Sequence, residues 1–274
     1  MNKFGYILQL TTTLSLILSV APVVATNYLR MAEAHEMRFG GNAVMLSAIV
    51  NPSLVAHEVK RSMTISVVEL YGVKGLTRLT AGVLYPNKWL PLAAHVETFG
   101  FDAYRETMLR GAVARTLGRG WSLGVAIRYT VLQTELFDEQ GTCLSADAGL
   151  RFAPGERFAV GLSLVNVASI PFGEGTAAMS SSALQAEAGM EWKIVERLRL
   201  LGSIAGGKDR PVGGNIAMEY AFEGNFRISG GIKTSPWLVA LGAAYEGNRF
   251  TLDVANTVHP VLGMSWGVGL SVYF

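Results

Sequence analysis

The amino-acid sequence predicts an all-β protein: a transmembrane, antiparallel, up-and-down β-barrel of about fourteen strands with an N-terminal segment plugging the lumen. Three observations predict this fold class. The chain ends in a strand that alternates between large apolar and small residues, it begins with a stretch typical of a secretory signal, and its apolar residues are spread in alternation. An apolar outer face and a small or polar inner face are what a barrel wall between lipid and water requires.

The C-terminal strand shows the alternation most clearly. A period of two is that of a β-strand. The apolar face carries Trp266, Val268, Leu270, Val272 and Phe274. The other face carries Ser265, Gly267, Gly269, Ser271 and Tyr273. A strand that ends the chain on an aromatic residue resembles the C-terminal signal by which bacterial outer-membrane barrels are recognised. We therefore expect outer-membrane lipid and the outer-membrane insertion machinery among the partners.

The N-terminal residues predict export. Lys3 supplies a positive start, an apolar stretch follows from about residue 7 to 20, and Val23 and Ala25 are suited to cleavage before Thr26. A membrane-anchor helix is disfavoured because polar residues interrupt this short apolar stretch. The predicted division is a signal peptide over 1–25, a plug segment over 26–60 and a barrel over 61–274. The expected location is the outer membrane of a Gram-negative bacterium, with both mature termini in the periplasm.

The composition agrees with this class. Half of the residues are hydrophobic, yet no apolar run after residue 25 is long enough for a membrane helix, and the 31 glycines suit tight turns and a crowded barrel interior. A net charge of +2 without a basic stripe gives no indication of a nucleic-acid partner. The single cysteine, Cys143, excludes an internal disulfide and is interpreted as a small, partly buried residue.

Alternation along the rest of the chain predicts fourteen strands. Their expected ranges are 61–72, 75–86, 90–99, 107–117, 121–136, 143–153, 158–167, 183–194, 198–205, 214–222, 226–233, 237–245, 250–257 and 263–274. The alternation weakens at Val67 and Val68, which is interpreted as a β-bulge. Aromatic residues near the strand ends suit the two interfacial girdles of a membrane barrel.

The connections predict an asymmetry between the two ends. Short glycine-containing turns, such as the one at Gly118–Gly120, lie on one side. Longer connections are expected on the other, at 99–107, 137–143, 166–183, 205–214, 233–237 and 257–262. This is the arrangement of periplasmic turns and exterior loops in outer-membrane barrels.

The inward positions carry charges of both signs. Arg128, Asp147, Glu187 and Glu219 are the principal lumen charges predicted. Mixed signs on neighbouring strands favour ion pairs that brace a closed or plugged barrel over a selective pore, which usually concentrates one sign. The four histidines have no ligand spacing, so neither a metal nor another cofactor is expected. His95 and Glu97 share one face of a strand and could serve a barrel hydrolase, although a hydrogen-bonded pair in a wet lumen is the simpler interpretation.

The N-terminal residues carry a family resemblance. Met37 to Ala43, with Gly40-Gly41, and Asn51-Pro52-Ser53-Leu54 are similar to the opening of the FadL/PorV/PorQ superfamily of outer-membrane barrels. The segment 99–106 and the ending 259–263 resemble members from Bacteroidota. The resemblance implies fourteen strands and an N-terminal segment tucked inside. Gly40-Gly41 is expected to form the turn into the lumen, and Asn51-Pro52 to fix the start of the first strand. The short spacing between these motifs, Ser53 in place of alanine, and short exterior loops favour the PorV/PorQ side.

Three classes of function follow. The leading hypothesis is a non-enzymatic scaffold or accessory subunit of a protein-secretion or outer-membrane assembly complex, as the PorV/PorQ likeness implies. The alternative is a FadL-like channel for uptake of small hydrophobic molecules, through the lumen or a lateral gap. A barrel hydrolase, which depends on His95 and Glu97 alone, ranks third, so no catalytic residue is assigned.

One predicted loop offers a working surface. The segment 166–182 contains Ile170, Pro171 and Phe172 among small residues. Apolar side chains on an exterior loop would be exposed to water, so they either dock a protein partner or hydrophobic ligand or fold over the barrel mouth as a lid.

Overall fold

A computed structural model describes residues 33–135, 141–172, 183–208 and 210–274 of the chain. The strands are β1 (Ser62–Glu69), β2 (Thr77–Tyr85), β3 (Leu92–Phe101), β4 (Tyr104–Gly118), β5 (Trp121–Thr134), β6 (Gly141–Phe152), β7 (Phe158–Phe172), β8 (Gln185–Val195), β9 (Leu198–Gly207), β10 (Arg210–Ala221), β11 (Phe226–Thr234), β12 (Trp237–Glu246), β13 (Phe250–His259) and β14 (Gly263–Tyr273). Two short helices precede them, α1 (Ala34–Met37) and a 3-10 helix (Pro52–His57). No helix in the described ranges is long and apolar enough to cross a membrane.

The strands form one closed barrel. Each strand pairs antiparallel with its neighbours in sequence, and β1 closes the ring against β14, with Ser62 opposite Tyr273. In this ring each strand has a hydrogen-bonded neighbour on both sides, which is what a sheet requires to stand in lipid. The predicted fold class and strand number are therefore confirmed.

The two faces of the wall divide as the alternation predicts. On β14, Trp266, Val268, Leu270 and Val272 are exposed on the outside, while Ser265 and Gly267 are buried inside. Large apolar residues on the outside of a closed barrel are the reverse of a water-soluble protein and match a lipid-facing band. Phe274 follows the strand and is exposed.

The barrel has two ends, which we call the C-terminal rim, where β14 finishes, and the opposite rim. Outward aromatic side chains form a band near the C-terminal rim: Tyr85, Trp121, Phe158, Trp192, Tyr220, Phe226, Tyr245 and Phe250. Tyr129, Trp237 and Trp266 lie toward the opposite rim. Aromatic rings at both ends of an apolar band are typical of membrane interfaces.

Two sequence-based expectations about the wall are wrong. Val67 and Val68 form no bulge, since β1 pairs without a register shift with both neighbours over Ser62–Glu69. The alternation only looked weak because Val68, on the inner face, is apolar and packs with Met37 of the N-terminal segment. The connections at the opposite rim are also shorter than expected. Strand pairing extends to Phe101 and Tyr104, and to Thr234 and Trp237, leaving two residues between the strands in each case.

The N-terminal segment, by which we mean residues 33–60, lies inside the barrel. Its 3-10 helix contacts β3, β4, β5 and β6, while α1 contacts β1, β12, β13 and β14. Most of its side chains up to Val55 are buried. The segment therefore spans the lumen from one wall to the other. The predicted signal peptide and residues 26–32 lie outside the described residues.

Candidate functional site

Glycines on the inner face make room for the N-terminal segment. A Cβ atom added to Gly124 would lie 2.3 Å from the carbonyl carbon of Pro52, and one added to Gly149 would lie 2.1 Å from Oδ1 of Asn51. Further round the wall, Gly242 lies equally close to the side chain of Arg38. Because real Cβ atoms do not approach other atoms so closely, only glycine allows the segment to lie directly against the wall.

Wall side chains also satisfy the backbone of the segment. Ser163 donates to the carbonyl of Val50 at 2.5 Å, and Arg110 donates to the carbonyl of Ala48 at 2.6 Å. Asn215 donates to the carbonyl of Phe39 at 2.9 Å. A buried carbonyl without a partner is costly, so these bonds are a condition for an irregular segment inside a barrel.

A network of buried charges anchors the first half of the segment. The fully buried guanidinium of Arg38 lies 2.9 Å from the carboxylate of Glu219 and 2.9 Å from that of Asp253. Glu219 also accepts from Arg199 at 2.8 Å, and Arg199 reaches Glu191 at 3.2 Å. Glu219 was predicted from the sequence as a lumen charge, and its partner Arg38 was not. Burial also raises the pKa of Glu36, on α1, above its usual range.

A second charged cluster lies at an irregularity in the wall. Asp147 on β6 forms an ion pair with Arg110 at 3.5 Å and accepts a hydrogen bond from Arg128 at 3.4 Å. It also accepts the backbone N–H of Asn166 at 3.0 Å, and Arg128 donates to the side-chain oxygen of Asn166. Arg128 and Asp147, both predicted lumen charges, are thus brought together. Glu187 faces the lumen from β8 and belongs to neither cluster's ion pairs.

Asn166 is the centre of a β-bulge in β7. The register with β6 shifts between Ala146 and Ala148, so that residues 165–167 stand opposite Asp147 alone. Asn166 takes a left-handed backbone conformation with φ +57°, which asparagine tolerates better than most residues. The side chain of Asn166 then donates to the carbonyl of Ala183 at 3.1 Å. The bulge is therefore held by hydrogen bonds on both sides.

Beyond this bulge the described pairings of β7 differ in length on its two sides. β7 pairs with β8 only up to Val165, opposite Gln185, whereas it continues to pair with β6 as far as Phe172. Within the described residues, the β8-facing edge of 166–172 has no strand partner. At about 3.3 Å per residue this edge is roughly 20 Å long. We call this feature the β7 step.

Ile170, Pro171 and Phe172 belong to the β7 step, which corrects the sequence-based placement of these residues in a loop. They pair with Leu144, Cys143 and Thr142. The bulge interrupts the alternation of β7 at Asn166 and Val167, which is why the strand was predicted to end near residue 167. Ile170 is exposed on the outer face, in line with the lipid-facing residues of β6.

The predicted plug motif lies inside the barrel. Gly40 and Gly41 both have positive φ, +67° and +76°, at the turn that follows α1. Asn51 is fully buried and caps the 3-10 helix by accepting from the N–H of Ser53 at 3.2 Å. Pro52 is the first residue of that helix, where its missing N–H costs nothing. The Asn51-Pro52 pair therefore begins a helix in the lumen and not the first strand, which starts later at Ser62.

The residues considered for catalysis, His95 and Glu97, and those considered for metal binding do not form a common site among the described residues. Among the described residues, Glu97 forms an ion pair with Arg78 and not with His95, whose ring lies over Gly82 on the next strand. No group of three histidine, cysteine or acidic side chains in the described ranges is placed to hold a metal.

Sequence reasoning missed Arg38 and the bulge at Asn166. For Arg38 the sequence contained no signal, because its partners lie on strands far away along the chain. The inner-face glycines were visible as a pattern, since Gly124, Gly149, Gly161 and Gly189 all fall on inward positions. Their contacts with the segment could not be read from that pattern.

Comparison with solved structures shows which barrels share this fold. A monoaromatic hydrocarbon channel, CymD, superposes with a TM-score of 0.65 at 10% identity, over 88% of this chain and 97% of that one. The toluene transporter TodX of Pseudomonas putida gives 0.64 at 9% identity, over 88% and 97%. A FadL homologue of Pseudomonas aeruginosa gives 0.63 at 11%, over 89% and 98%. No protein-family model matches the sequence, and no curated protein matches it significantly.

These three structures share the barrel fold with this chain, and their descriptions are those of channels or transporters. At 9–11% identity this likeness shows the shared fold alone, and the comparisons give no support to the secretion scaffold. The PorV/PorQ and Bacteroidota affiliations, a secretion partner and the orientation of the termini stay predictions.

Proposed function

We propose that this protein is a FadL-type outer-membrane channel for small hydrophobic molecules. The neighbours that share its fold include channels described for monoaromatic hydrocarbons and toluene. We propose substrates of the same size, small apolar molecules such as monoaromatic hydrocarbons, for this chain. In this proposal the N-terminal segment fills the lumen, and the C-terminal rim faces the periplasm.

The observation that carries this proposal is the β7 step. The register between β6 and β7 is broken at Asn166, at a height between the outward residues Val125 and Tyr129 of the lipid-facing band. An opening there would join the lumen to the membrane interior, where an apolar molecule is more stable than in water. Because the segment occupies the lumen nearer the C-terminal rim, we infer that the substrate leaves sideways at the β7 step and does not cross the whole barrel.

Deleting Asn166 and Val167 tests this exit. The deletion leaves Val165 alone opposite Asp147 and so restores a continuous register between β6 and β7. We expect the variant to remain a heat-stable barrel and to lose most uptake of a monoaromatic hydrocarbon into proteoliposomes.

Deletion of Leu117 is the matched control. Leu117 is the extra residue at another single-strand irregularity, between β4 and β5 at the C-terminal rim. This variant should transport like the unaltered protein. Undiminished uptake after deletion of Asn166 and Val167 would show that the β7 step is not the exit.

A further inference from the structure

A sector of the C-terminal rim exposes cations and aromatic rings together. It lies where β14, β1, β2 and β3 meet, and we call it the rim sector; it comprises Arg61, Tyr85, Lys88, Trp89 and Phe274. Trp89 is 87% exposed and Phe274 is 73% exposed. Leaving two large apolar rings in water is unfavourable in free energy.

The Arg61 guanidinium is held on the lipid-facing side. It lies 4.5 Å above the ring of Tyr85, an outward residue, and donates to the Tyr85 hydroxyl at 3.1 Å. The carbonyl of Arg61 accepts from the N–H of Phe274 at 3.0 Å, which ties the start of β1 to the chain terminus. The cation is thereby positioned just beyond the aromatic band.

Hydrogen bonds of Asn87 define the neighbouring turn. The side-chain oxygen of Asn87 accepts from the N–H groups of Trp89 and Leu90 at 2.9 and 2.8 Å, and its amide donates to the carbonyl of Leu90 at 2.6 Å. This turn holds Lys88 and Trp89 in the exposed position. The Asn87 hydrogen bonds therefore give the backbone at Trp89 a defined turn conformation.

The cations of the rim sector are free to bind an external anion. Among the described residues, neither Arg61 nor Lys88 forms an ion pair with a carboxylate. An indole and a tyrosine at the boundary of an apolar band, with unpaired cations beside them, match the region where lipid phosphates lie.

We propose that the rim sector is a binding site for the headgroup of an anionic phospholipid. Arg61 and Lys88 would hold the phosphate, and Trp89 would lie among the glycerol and upper acyl carbons. The site is independent of the channel activity, since it lies on the outer face and shares no residue with the lumen or the β7 step.

Lys60 provides a matched control on the same rim. Its ammonium lies 5.5 Å from the ring of Tyr273, which faces inward and bonds to the inner-face residue Thr251. Lys60 is therefore one residue from Arg61 in sequence but on the lumen side of the wall. Its removal takes away the same charge without touching the proposed site.

The test is the binding of phosphatidylglycerol to the full chain in phosphatidylcholine nanodiscs. The double variant Arg61→Gln, Lys88→Gln should bind phosphatidylglycerol about 30-fold more weakly, from about 1 kcal/mol per cation and about 1.4 kcal/mol per tenfold. Lys60→Gln should change binding less than about twofold, at the level expected for a more distant charge. Equal losses in both variants, or none in the double variant, would overturn the proposal.

A second measurement does not depend on the folding of the double variant. Phosphatidylglycerol brominated near the headgroup should quench part of the tryptophan fluorescence of the unaltered protein, and Trp89→Phe should lose that part. Identical quenching in the Trp89→Phe variant would place the lipid elsewhere and would also overturn the proposal.

Discussion

Arg38 is the residue on which the seating of the N-terminal segment depends most directly. Its guanidinium is fully buried between Glu219 and Asp253 and also donates to Ser229 at 3.2 Å. Such a group stabilises the folded state only while its partners remain, because a buried charge without a partner is strongly unfavourable. The contact joins the segment to three different strands at once.

Replacing Arg38 by methionine should therefore loosen the segment. Removing one partner of a buried pair costs about 3–5 kcal/mol, and the two carboxylates left behind would repel one another. Hydrogen exchange of residues 33–57 should accelerate, while the strands, whose ladder is untouched, keep their protection.

Arg197→Met gives the comparison for an exposed pair. Arg197 and Glu223 are 3.0 Å apart but are 54% and 84% exposed, so the loss should stay below about 1 kcal/mol. Similar exchange in the two variants would mean that Arg38 does not hold the segment.

At the scale of elements, strands were predictable from the sequence and their ends and contacts were not. Period two identifies a strand wherever lipid lies on one side, as it does along β5 and β14. It fails where the inner residue is apolar, as at Val68, and where a bulge interrupts the alternation, as at Asn166 and Val167. Two-residue hairpins such as 102–103 extend pairing into residues that looked irregular.

Inner-face glycines show the same limit. Their inward position could be read from alternation, but the partner could not, because Gly124 and Pro52 are brought together only by closure of the barrel around the segment. A Cβ on Gly124 would meet three backbone atoms of Pro52 and Ser53 within 2.4 Å, and backbone cannot move aside as a side chain can.

Gly124→Ala should accordingly destabilise the seating of the segment by about 1–3 kcal/mol, the usual cost of overpacking. Gly111→Ala on β4 is the control, since nothing lies within 4 Å of its Cβ position. Thermal unfolding and proteolysis within residues 33–60 measure the two effects. Equal tolerance of both substitutions would show that the segment is not in close contact with β5.

At the scale of the whole molecule, the outer face determines where the barrel can stand. Outward residues between the two sets of aromatic rings are mostly apolar, with Arg115 near the C-terminal end of β4 as a charged exception. The sequence sufficed for this part of the account, because the lipid-facing pattern depends on each strand alone.

Val125→Arg tests the lipid-facing band. Val125 is 49% exposed in the middle of β5, and an arginine at mid-membrane costs about 2–4 kcal/mol. Leu117→Arg, at the C-terminal rim, should cost about 1 kcal/mol or less because the headgroup region solvates the charge. Equal losses of barrel stability in lipid vesicles would contradict the placement of the membrane.

The central claim is that the barrel passes small hydrophobic molecules while its lumen is filled by the N-terminal segment. The most direct measurement compares the uptake of toluene with that of a sugar of similar size into proteoliposomes containing the full chain. The account predicts toluene uptake well above that of empty vesicles and no added sugar uptake. Passage of both solutes would show an open pore, and passage of neither would contradict the channel itself.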